Sequence, residues 1–212
     1  MAANPEAAAH WFLQAARQGQ ALSQCNLGLL YFRGDGVSVD RSEAERWFRA
    51  AAEQGESRAA FNLALLLRNG DFAERQPGEA SGWLKRAAAA GLAEAQFNLG
   101  VEYLAGAANA DQKQQAATWI FEAAKSGLPD AEYQLGLMFD TGEGVERDPA
   151  LAMEWYALAA AHGYASAQYN LGLHYELGHE GLEPDRDRAC EFYREAAAQG
   201  HEKAIDSLIA LQ

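Results

Sequence analysis

The side chains that most often carry out chemistry do not assemble into a catalytic set in this sequence. The five histidines form no nucleophile–base set with a serine, cysteine or carboxylate. The chain also lacks a Gly-x-Ser-x-Gly elbow and a Gly-x4-Gly-Lys-Ser/Thr loop, which serve acyl transfer and nucleotide binding. We therefore predict that the protein is not an enzyme and uses no cofactor, with a hydrolase-like enzyme as a remote alternative.

One group of potential metal ligands surrounds a single turn. It consists of His174, Glu176, His179 and Glu180. A zinc-binding helix places two histidines four residues apart, whereas these two are five apart with Gly178 between them. We predict no metal site here.

Charge and cysteine content exclude further classes of function. The formal net charge of −13 argues against nucleic acid and anionic membranes as partners. Cys25 and Cys190 form no disulfide framework, which favours a reducing, cytoplasmic setting. Residues 1–20 lack the apolar core of a secretory signal, and no apolar run reaches the roughly 18 residues of a membrane span. A periplasmic location is the alternative if a signal peptide was removed.

Side-chain amides recur every 36 residues and are the first candidates for partner binding. An amide offers two donors and one acceptor, so a ladder of amides can hold an extended peptide backbone. The alternative is that these amides bond the neighbouring helix or cap its backbone. The series reads Asn26, Asn62, Asn98, Gln134 and Asn170.

The residue before each amide is aromatic in four copies and Cys25 in the first. An aromatic stripe at helical spacing usually belongs to the core, whereas an exposed stripe would form an apolar floor beside the amides. The aromatic members are Phe61, Phe97, Tyr133 and Tyr169.

Charged residues near these series change sign along the chain. Arg33, Arg58 and Arg68 come early, whereas Glu94, Asp130, Asp140 and Glu176 come late. If they share one groove, an acidic partner segment lies over the early part and a basic segment over the late part. The alternative is two solvated faces.

All these residues belong to an internal repeat of the sequence. Trp, Gly and Leu recur at intervals of 36 residues, with one extra residue in the last copy. We predict five full repeats of 36–37 residues, half-repeats at both ends and a single domain over 1–212. The predicted segments are 1–19, 20–55, 56–91, 92–127, 128–163, 164–200 and a capping helix over 201–212.

Each repeat reads as two antiparallel helices. The chain has 46 Ala and only 9 β-branched residues, which favours an all-α fold. In the fourth repeat, Asp148 and Pro149 predict the start of a second helix, Trp155 its buried face and Gly163 its end. Asp40, three residues before Glu43, has the spacing of a capping box.

A glycine recurs inside the first helix of four repeats, at Gly28, Gly100, Gly136 and Gly172. A glycine in a helix costs about 1 kcal/mol relative to alanine. Four copies therefore predict that the paired helix approaches too closely for a Cβ.

The combined pattern resembles a known repeat. Ala-x3-Leu-Gly-x2-Tyr, then Gly-x-Gly-Val-x2-Asp, then Ala-x2-Trp-x3-Ala-Ala-x2-Gly is similar to the Sel-one-like repeat, a relative of the tetratricopeptide repeat. The resemblance implies an α/α solenoid, a right-handed superhelix of helix hairpins that serves as a scaffold or adaptor. By similarity to tetratricopeptide arrays, the amide series would line its concave groove. The turns at 69–74 and 106–109 depart from the pattern.

The function we predict is binding of a partner peptide or helix in that groove. The alternative is an interaction or regulatory module of a longer bacterial envelope or signalling protein, because residues 4–18 match a second helix without its first. Abundant alanine, and 13 arginines among the 17 basic residues, suggest a bacterium with a GC-rich genome. The partner itself has no signature in the sequence.

Overall fold

The computed structural model describes residues 5–69, 78–179 and 181–211, and these residues form helices and short connections. Within them, the only β-structure is an isolated bridge between His179 and Leu182. The twelve described helices are α1 (Pro5–Arg17), α2 (Ala21–Arg33), α3 (Arg41–Glu53), α4 (Ser57–Arg68), α5 (Glu79–Ala89), α6 (Ala93–Ala105), α7 (Ala110–Lys125), α8 (Pro129–Thr141), α9 (Pro149–Ala161), α10 (Ala165–Leu177), α11 (Arg186–Ala198) and α12 (Glu202–Ala210). The predicted fold class, an all-α solenoid of helix pairs, is confirmed.

The chain divides into two compact units, residues 1–96 and 97–212. In the first unit, each of α1 to α4 packs against the next helix along the chain. In the second unit the same sequential packing runs from α7 to α12. No described helix combines the length and the apolar character that crossing a membrane requires. The departing turn predicted at 69–74 lies largely outside the described residues.

Alanine fills the positions where helices meet. The position that opens the core face of the first helix holds Ser23 in the first copy and a fully buried alanine in the others, namely Ala59, Ala95, Ala131, Ala167 and Ala204. Large side chains then fill the remaining space within each unit, such as Phe48 in the first and Tyr156 in the second. The abundance of alanine thus reflects close helix packing as well as helix propensity.

The helical glycines lie where the prediction placed them, at the closest approach of two helices. A Cβ on Gly28 would lie 2.6 Å from the Phe48 ring, and one on Gly136 would lie 2.6 Å from the Tyr156 ring. The same holds for Gly100 against Ile120 and for Gly172 against Tyr193. The prediction of close approach is therefore confirmed.

The prediction that Trp155 lies on the buried face of its helix holds only in part, and burial of the tryptophan differs between copies. Trp47 and Trp83 are buried, but Trp119 and Trp155 are half-buried and Trp11 is 71% exposed. The residue that follows each tryptophan lies about 100° further around the helix. The side chain of that residue, such as Phe48 or Tyr156, is the one that faces the glycine. Trp155 instead points toward α7, where it meets Phe121 edge to face at 5.9 Å between ring centroids.

The start and stop signals predicted for the fourth repeat are confirmed. The Asp148 carboxylate accepts a hydrogen bond from the Leu151 N–H at 3.0 Å, and Pro149 is the first residue of α9. Gly163 follows the end of α9 with a φ of 83°, in the left-handed region that favours glycine.

The capping box predicted at Asp40 and Glu43 forms only in part. The Asp40 carboxylate caps α3 by accepting from the Ser42 and Glu43 N–H groups at 2.9 and 3.0 Å. The reciprocal bond is missing, because the Asp40 N–H donates to the Tyr31 carbonyl at 2.9 Å. Glu43 pairs instead with Arg46 at 3.2 Å.

Candidate functional site

The first unit contains a cleft of about 240 Å³ between α2, α3 and α4, which we call the apolar cleft. Most of its lining is hydrocarbon, with polar groups from two amides and one guanidinium. Its lining residues are Phe32, Arg41, Phe48, Asn62, Leu65, Leu66 and Asn69. Phe48 is almost fully buried, whereas Phe32 is 44% exposed. This cleft suits an apolar side chain.

The second unit contains a cleft of about 220 Å³ between α8, α10 and the turns that follow them, which we call the polar cleft. Its lining residues are Asp140, Arg147, Asn170, Leu173, His174, Leu177, Gly178 and His179. A carboxylate, an amide, a guanidinium and two imidazoles thus converge on a space of similar size.

The two clefts occupy equivalent places in the repeat, three 36-residue steps apart. One amide and one leucine are the same in both, three positions change from hydrocarbon to polar, and Asn69 changes to the apolar Leu177. The equivalent pairs are Asn62 and Asn170, Leu65 and Leu173, Phe32 and Asp140, Phe48 and Tyr156, and Leu66 and His174.

The three changed residues of the second unit form one hydrogen-bonded network. Tyr156 Oη donates to Asp140 Oδ2 at 3.4 Å, and His174 Nε2 lies 3.2 Å from the same oxygen. The Asn170 amide hydrogen-bonds the Tyr156 hydroxyl in turn. The network fixes the orientation of the Asp140 carboxylate from two sides.

Burial sets the protonation of both donors. It raises the pKa of Tyr156 well above its ordinary range, and the nearby Asp140 charge raises it further, so the phenol stays protonated. Burial also lowers the pKa of His174, an effect that Asp140 opposes and that His179 and Arg147 reinforce. His174 is therefore a neutral donor at pH 7.

Asp140 retains one carboxylate oxygen for a further partner. Both internal donors use Oδ2, and no described residue donates to Oδ1. The Asp140 side chain is 30% exposed. Arg147, which also lines the polar cleft, directs its Nε–H to the Asp140 backbone carbonyl at 2.9 Å.

Glu176 repeats this arrangement one repeat later. Tyr193 Oη donates to Glu176 Oε2 at 2.5 Å. Burial, followed by the bond to Glu176, raises the pKa of Tyr193 well above its ordinary range, so this phenol also remains a donor. The second unit thus holds two carboxylates that are each oriented by a buried tyrosine.

The predicted amide series is half-buried at all five positions. Asn62 bonds the Cys25 thiol, and Asn170 bonds Tyr156. Burial of Cys25, with a smaller contribution from Glu56, raises the pKa of this free thiol to about 11. One internal bond does not exhaust an amide, which has two N–H groups and an acceptor. Contact with a partner stays a prediction.

The predicted aromatic series packs against other parts of the chain. Its four aromatic members are half-buried, and Cys25 is 2% exposed. Tyr133 stacks on Tyr164, and Tyr169 stacks on His201, with ring centroids 4.8 Å apart in both pairs. Tyr133, Tyr169 and Asn170 also border an open depression in the second unit.

The predicted charged residues are only partly brought together. Arg33, Arg58 and Arg68 are exposed and do not line the apolar cleft, whose cation is Arg41. Glu94 and Asp130 are exposed as well, and Asp130 Oδ1 accepts from Tyr164 Oη at 3.3 Å. Of the charged residues predicted for the late part, Asp140 alone lines the polar cleft, and Glu176 is half-buried.

Sequence reasoning missed a second set of polar residues, buried where one repeat meets the next. Gln54 Nε2 donates to Gln24 Oε1 at 2.7 Å in the first unit. In the second unit His162 Nδ1 lies 3.0 Å from the buried Glu132 carboxylate, and Gln199 donates to Gln168 at 2.7 Å. The series Gln24, Gln96, Glu132 and Gln168 follows the 36-residue period, with Ala60 in the one remaining slot, and carried this signal.

Metal binding has no support in the described part of the chain, which contains no group of three or more potential metal-ligating side chains. His174 bonds Asp140, and His179 Nε2 lies 3.2 Å from Met153 Sδ. Glu180, the last member of the candidate cluster, lies outside the described residues.

These features define a repeat protein built of helix pairs whose first helices carry side-chain clefts. The chain belongs to the Sel1 repeat family, the Sel-one-like repeat that its sequence resembles. The profile of this repeat matches residues 1–20, 21–56, 57–92, 93–128, 129–164 and 165–201. Proteins of this family are generally scaffolds for protein interaction. No curated protein matches the sequence.

Solved structures of bacterial proteins share the fold, in line with a bacterial origin. A Sel1 repeat protein from Oxalobacter formigenes is 30% identical, with a TM-score of 0.78 over 97% of this chain and 87% of that one. The protective antigen c5321 of uropathogenic Escherichia coli, described as having an SLR fold, is 29% identical with a TM-score of 0.64. That match covers 96% of this chain and 51% of the antigen. The immunity protein Pa5087 of Pseudomonas aeruginosa, 20% identical over 92% of this chain and 74% of that one, shares the fold with a TM-score of 0.56.

Proposed function

We propose that this chain is a non-catalytic scaffold that binds a segment of a partner protein through the clefts of its first helices. The observation that carries this proposal is the recurrence of one cleft at equivalent repeat positions, with its amide and leucine retained. An amide that pairs with peptide backbone, beside a pocket for one side chain, is the arrangement that extended peptides require.

Charge supports an orientation for that segment. The exposed Arg33, Arg58 and Arg68 favour an acidic stretch over the first unit. Asp130, Asp140 and Glu176 favour a basic stretch over the second unit.

Selection of peptides from a random displayed library, on the full chain, tests this function. We expect binders whose contact slows amide hydrogen exchange in α2, α4, α8 or α10. Asn62→Ala and Asn170→Ala should weaken them, whereas Gln14→Ala, an exposed amide on α1, should not. The absence of binders, or protection confined to other helices, would contradict the proposal.

The charge orientation has its own test with the same peptides. Reversal of Arg33, Arg58 and Arg68 to Glu should weaken acidic binders by about tenfold or more, because like charges then face each other. Arg17→Glu, a reversal of an exposed arginine on α1, is the control. Unchanged affinity in the triple variant would remove the orientation but not the scaffold function.

A further inference from the structure

The two clefts differ at three positions that change together from hydrocarbon to polar, while a fourth position changes the other way, from Asn69 to Leu177. The apolar cleft has Phe32, Phe48 and Leu66 where the second unit has Asp140, Tyr156 and His174. We propose that these three positions determine which partner side chain each cleft accepts, and that the polar cleft takes a lysine or arginine. This inference rests on the proposed scaffold function and assigns the chemistry of its partner.

The coupling between acid and tyrosine extends across the repeats. In the second repeat, the residues equivalent to Asp140 and Tyr156 are Arg68 and Leu84. In the third repeat they are Leu104 and Ile120. In the fifth repeat the equivalent residues are Glu176 and Tyr193, and these two are hydrogen-bonded. An acid therefore occurs at this position only together with the tyrosine that orients it.

The geometry of Asp140 fits a cationic donor. Its Oδ2 atom is held by Tyr156 and His174, while Oδ1 has no described donor. A carboxylate oriented in advance loses little conformational freedom when an ammonium or guanidinium group donates to it, and such charge-assisted bonds are the strong ones.

Hydrocarbon beside the carboxylate fits the stem of the same side chain. Leu173 is half-buried and Leu177 is 73% exposed, and both line the polar cleft. Lysine and arginine cover apolar surface with their methylene groups while the charged head reaches a polar partner. The exposed Leu177 gives such a stem a surface to cover.

The charge of the second unit favours the same occupant. Residues 97–212 carry 19 acidic and 7 basic residues, whereas residues 1–96 carry 11 and 10. Such an excess attracts basic segments and repels acidic ones. Arg147 does not neutralise the site by pairing with the carboxylate, because its Nε–H bonds the backbone carbonyl of Asp140.

The test exchanges the chemistry of one cleft for that of the other. Peptides are selected from a random displayed library on the full chain and on the triple variant Asp140→Phe, Tyr156→Phe, His174→Leu. The new residues already occur at these positions in the first unit, so the fold has a precedent for them. Asp140→Asn, which keeps the shape of the side chain, serves as a second variant, and Glu146→Gln controls for the loss of an exposed acid.

We expect peptides that protect α8 and α10 of the wild-type chain to require one lysine or arginine. Replacing that residue by norleucine should weaken binding about tenfold or more on the wild type and on Glu146→Gln, but little on Asp140→Asn. The triple variant should select an apolar residue instead.

Two results would overturn the inference and are distinguishable. Peptides that protect α8 and α10 without any need for a basic residue would remove the specificity and leave the scaffold function standing. If no peptide of any composition protects the first helices, the scaffold function fails and the inference fails with it.

Discussion

The apolar cleft and the polar cleft lie at equivalent positions of the repeat but differ in whether their buried side chains need hydrogen-bond partners. In the first unit Phe48 packs on Gly28 and needs no polar partner. In the second, Tyr156 packs on Gly136 in the same way, but its hydroxyl must be satisfied, and Asp140 accepts its hydrogen bond. A buried hydroxyl enters such a repeat only together with its acceptor, so one substitution brings others with it.

The buried polar pairs show the same contrast. The first unit pairs two neutral amides, Gln24 and Gln54, whereas the second pairs the buried Glu132 carboxylate with the imidazole of His162. The second unit therefore buries a carboxylate, Glu132, where the first buries the neutral amide of Gln24. Its stability should depend more strongly on individual polar side chains.

The largest effect is expected from filling the glycine contacts beneath the two clefts. Gly136→Ala should lower the free energy of unfolding by up to about 3 kcal/mol, because its Cβ would lie 2.6 Å from the Tyr156 ring. Gly28→Ala should cost less, about 1–2 kcal/mol, since Phe48 has no hydroxyl bond to lose when its ring moves. Chemical denaturation of both variants measures the difference.

A third glycine provides the matched control. Gly82 lies inside α5, and a Cβ added there would have no atom within 4 Å. Gly82→Ala should therefore raise the free energy of unfolding by up to about 1 kcal/mol through helix propensity alone. Equal losses at Gly82 and Gly136 would show that the close contact is not the cause.

The fold could be predicted from the sequence because its determinants recur. Alanine, leucine and the helical glycines repeat every 36 residues, so each local signal is read several times in one register. The side chain that contacts each glycine was harder to predict. Tryptophan is the most regular member of the second helix, but the residue after it, which varies between Phe48, Ile120 and Tyr156, fills the core.

The candidate site was predicted in outline only. The repeat period identified Asn62 and Asn170, and both line clefts. It did not show that Asp140 and Tyr156 belong together, because the hydrogen bond joins residues 16 positions apart in two helices. Such a pair becomes visible in one sequence only when equivalent positions of different repeats are compared.

The next largest effect tests the buried polar pairs. His162→Ala should lower the free energy of unfolding by about 1–2 kcal/mol, because it leaves the Glu132 carboxylate buried without this partner. His162→Gln should recover most of the loss, since glutamine occupies the equivalent place at Gln54 and Gln199. Stability that is unchanged in the alanine variant would mean that Glu132 does not depend on His162.

A smaller effect tests the rule that hydroxyl and acceptor enter together. Phe48→Tyr should cost up to about 1 kcal/mol, because Phe32 offers the new hydroxyl no acceptor and leaves it only the Asn62 amide, the equivalent of Asn170. Adding Phe32→Asp should restore part of that loss by supplying one. If the double variant is no more stable than the sum of the single changes predicts, the coupling between these two positions is absent.

The smallest effect concerns pH and separates His174 from its apolar counterpart Leu66. Burial lowers the pKa of His174 in the folded chain below its ordinary value of 6.5. Asp140 opposes this shift, and His179 and Arg147 reinforce it. As the pH falls through 6.5, the unfolded chain therefore takes up a proton at this position before the folded chain does, and the folded state loses stability.

His174→Leu, which copies the first unit, should lose less stability than the wild type between pH 7.5 and pH 5.5. Denaturant unfolding at the two pH values measures this, and the comparison isolates His174 because the other four histidines are present in both proteins. The pH-independent cost of removing a donor from Asp140 cancels in the difference between the two pH values. A wild type that gains stability relative to the variant on acidification would mean that an ion pair between His174 and Asp140 outweighs burial. In that case protonated His174 would neutralise the Asp140 carboxylate in acid. Basic peptides should then dissociate from the polar cleft as the pH falls.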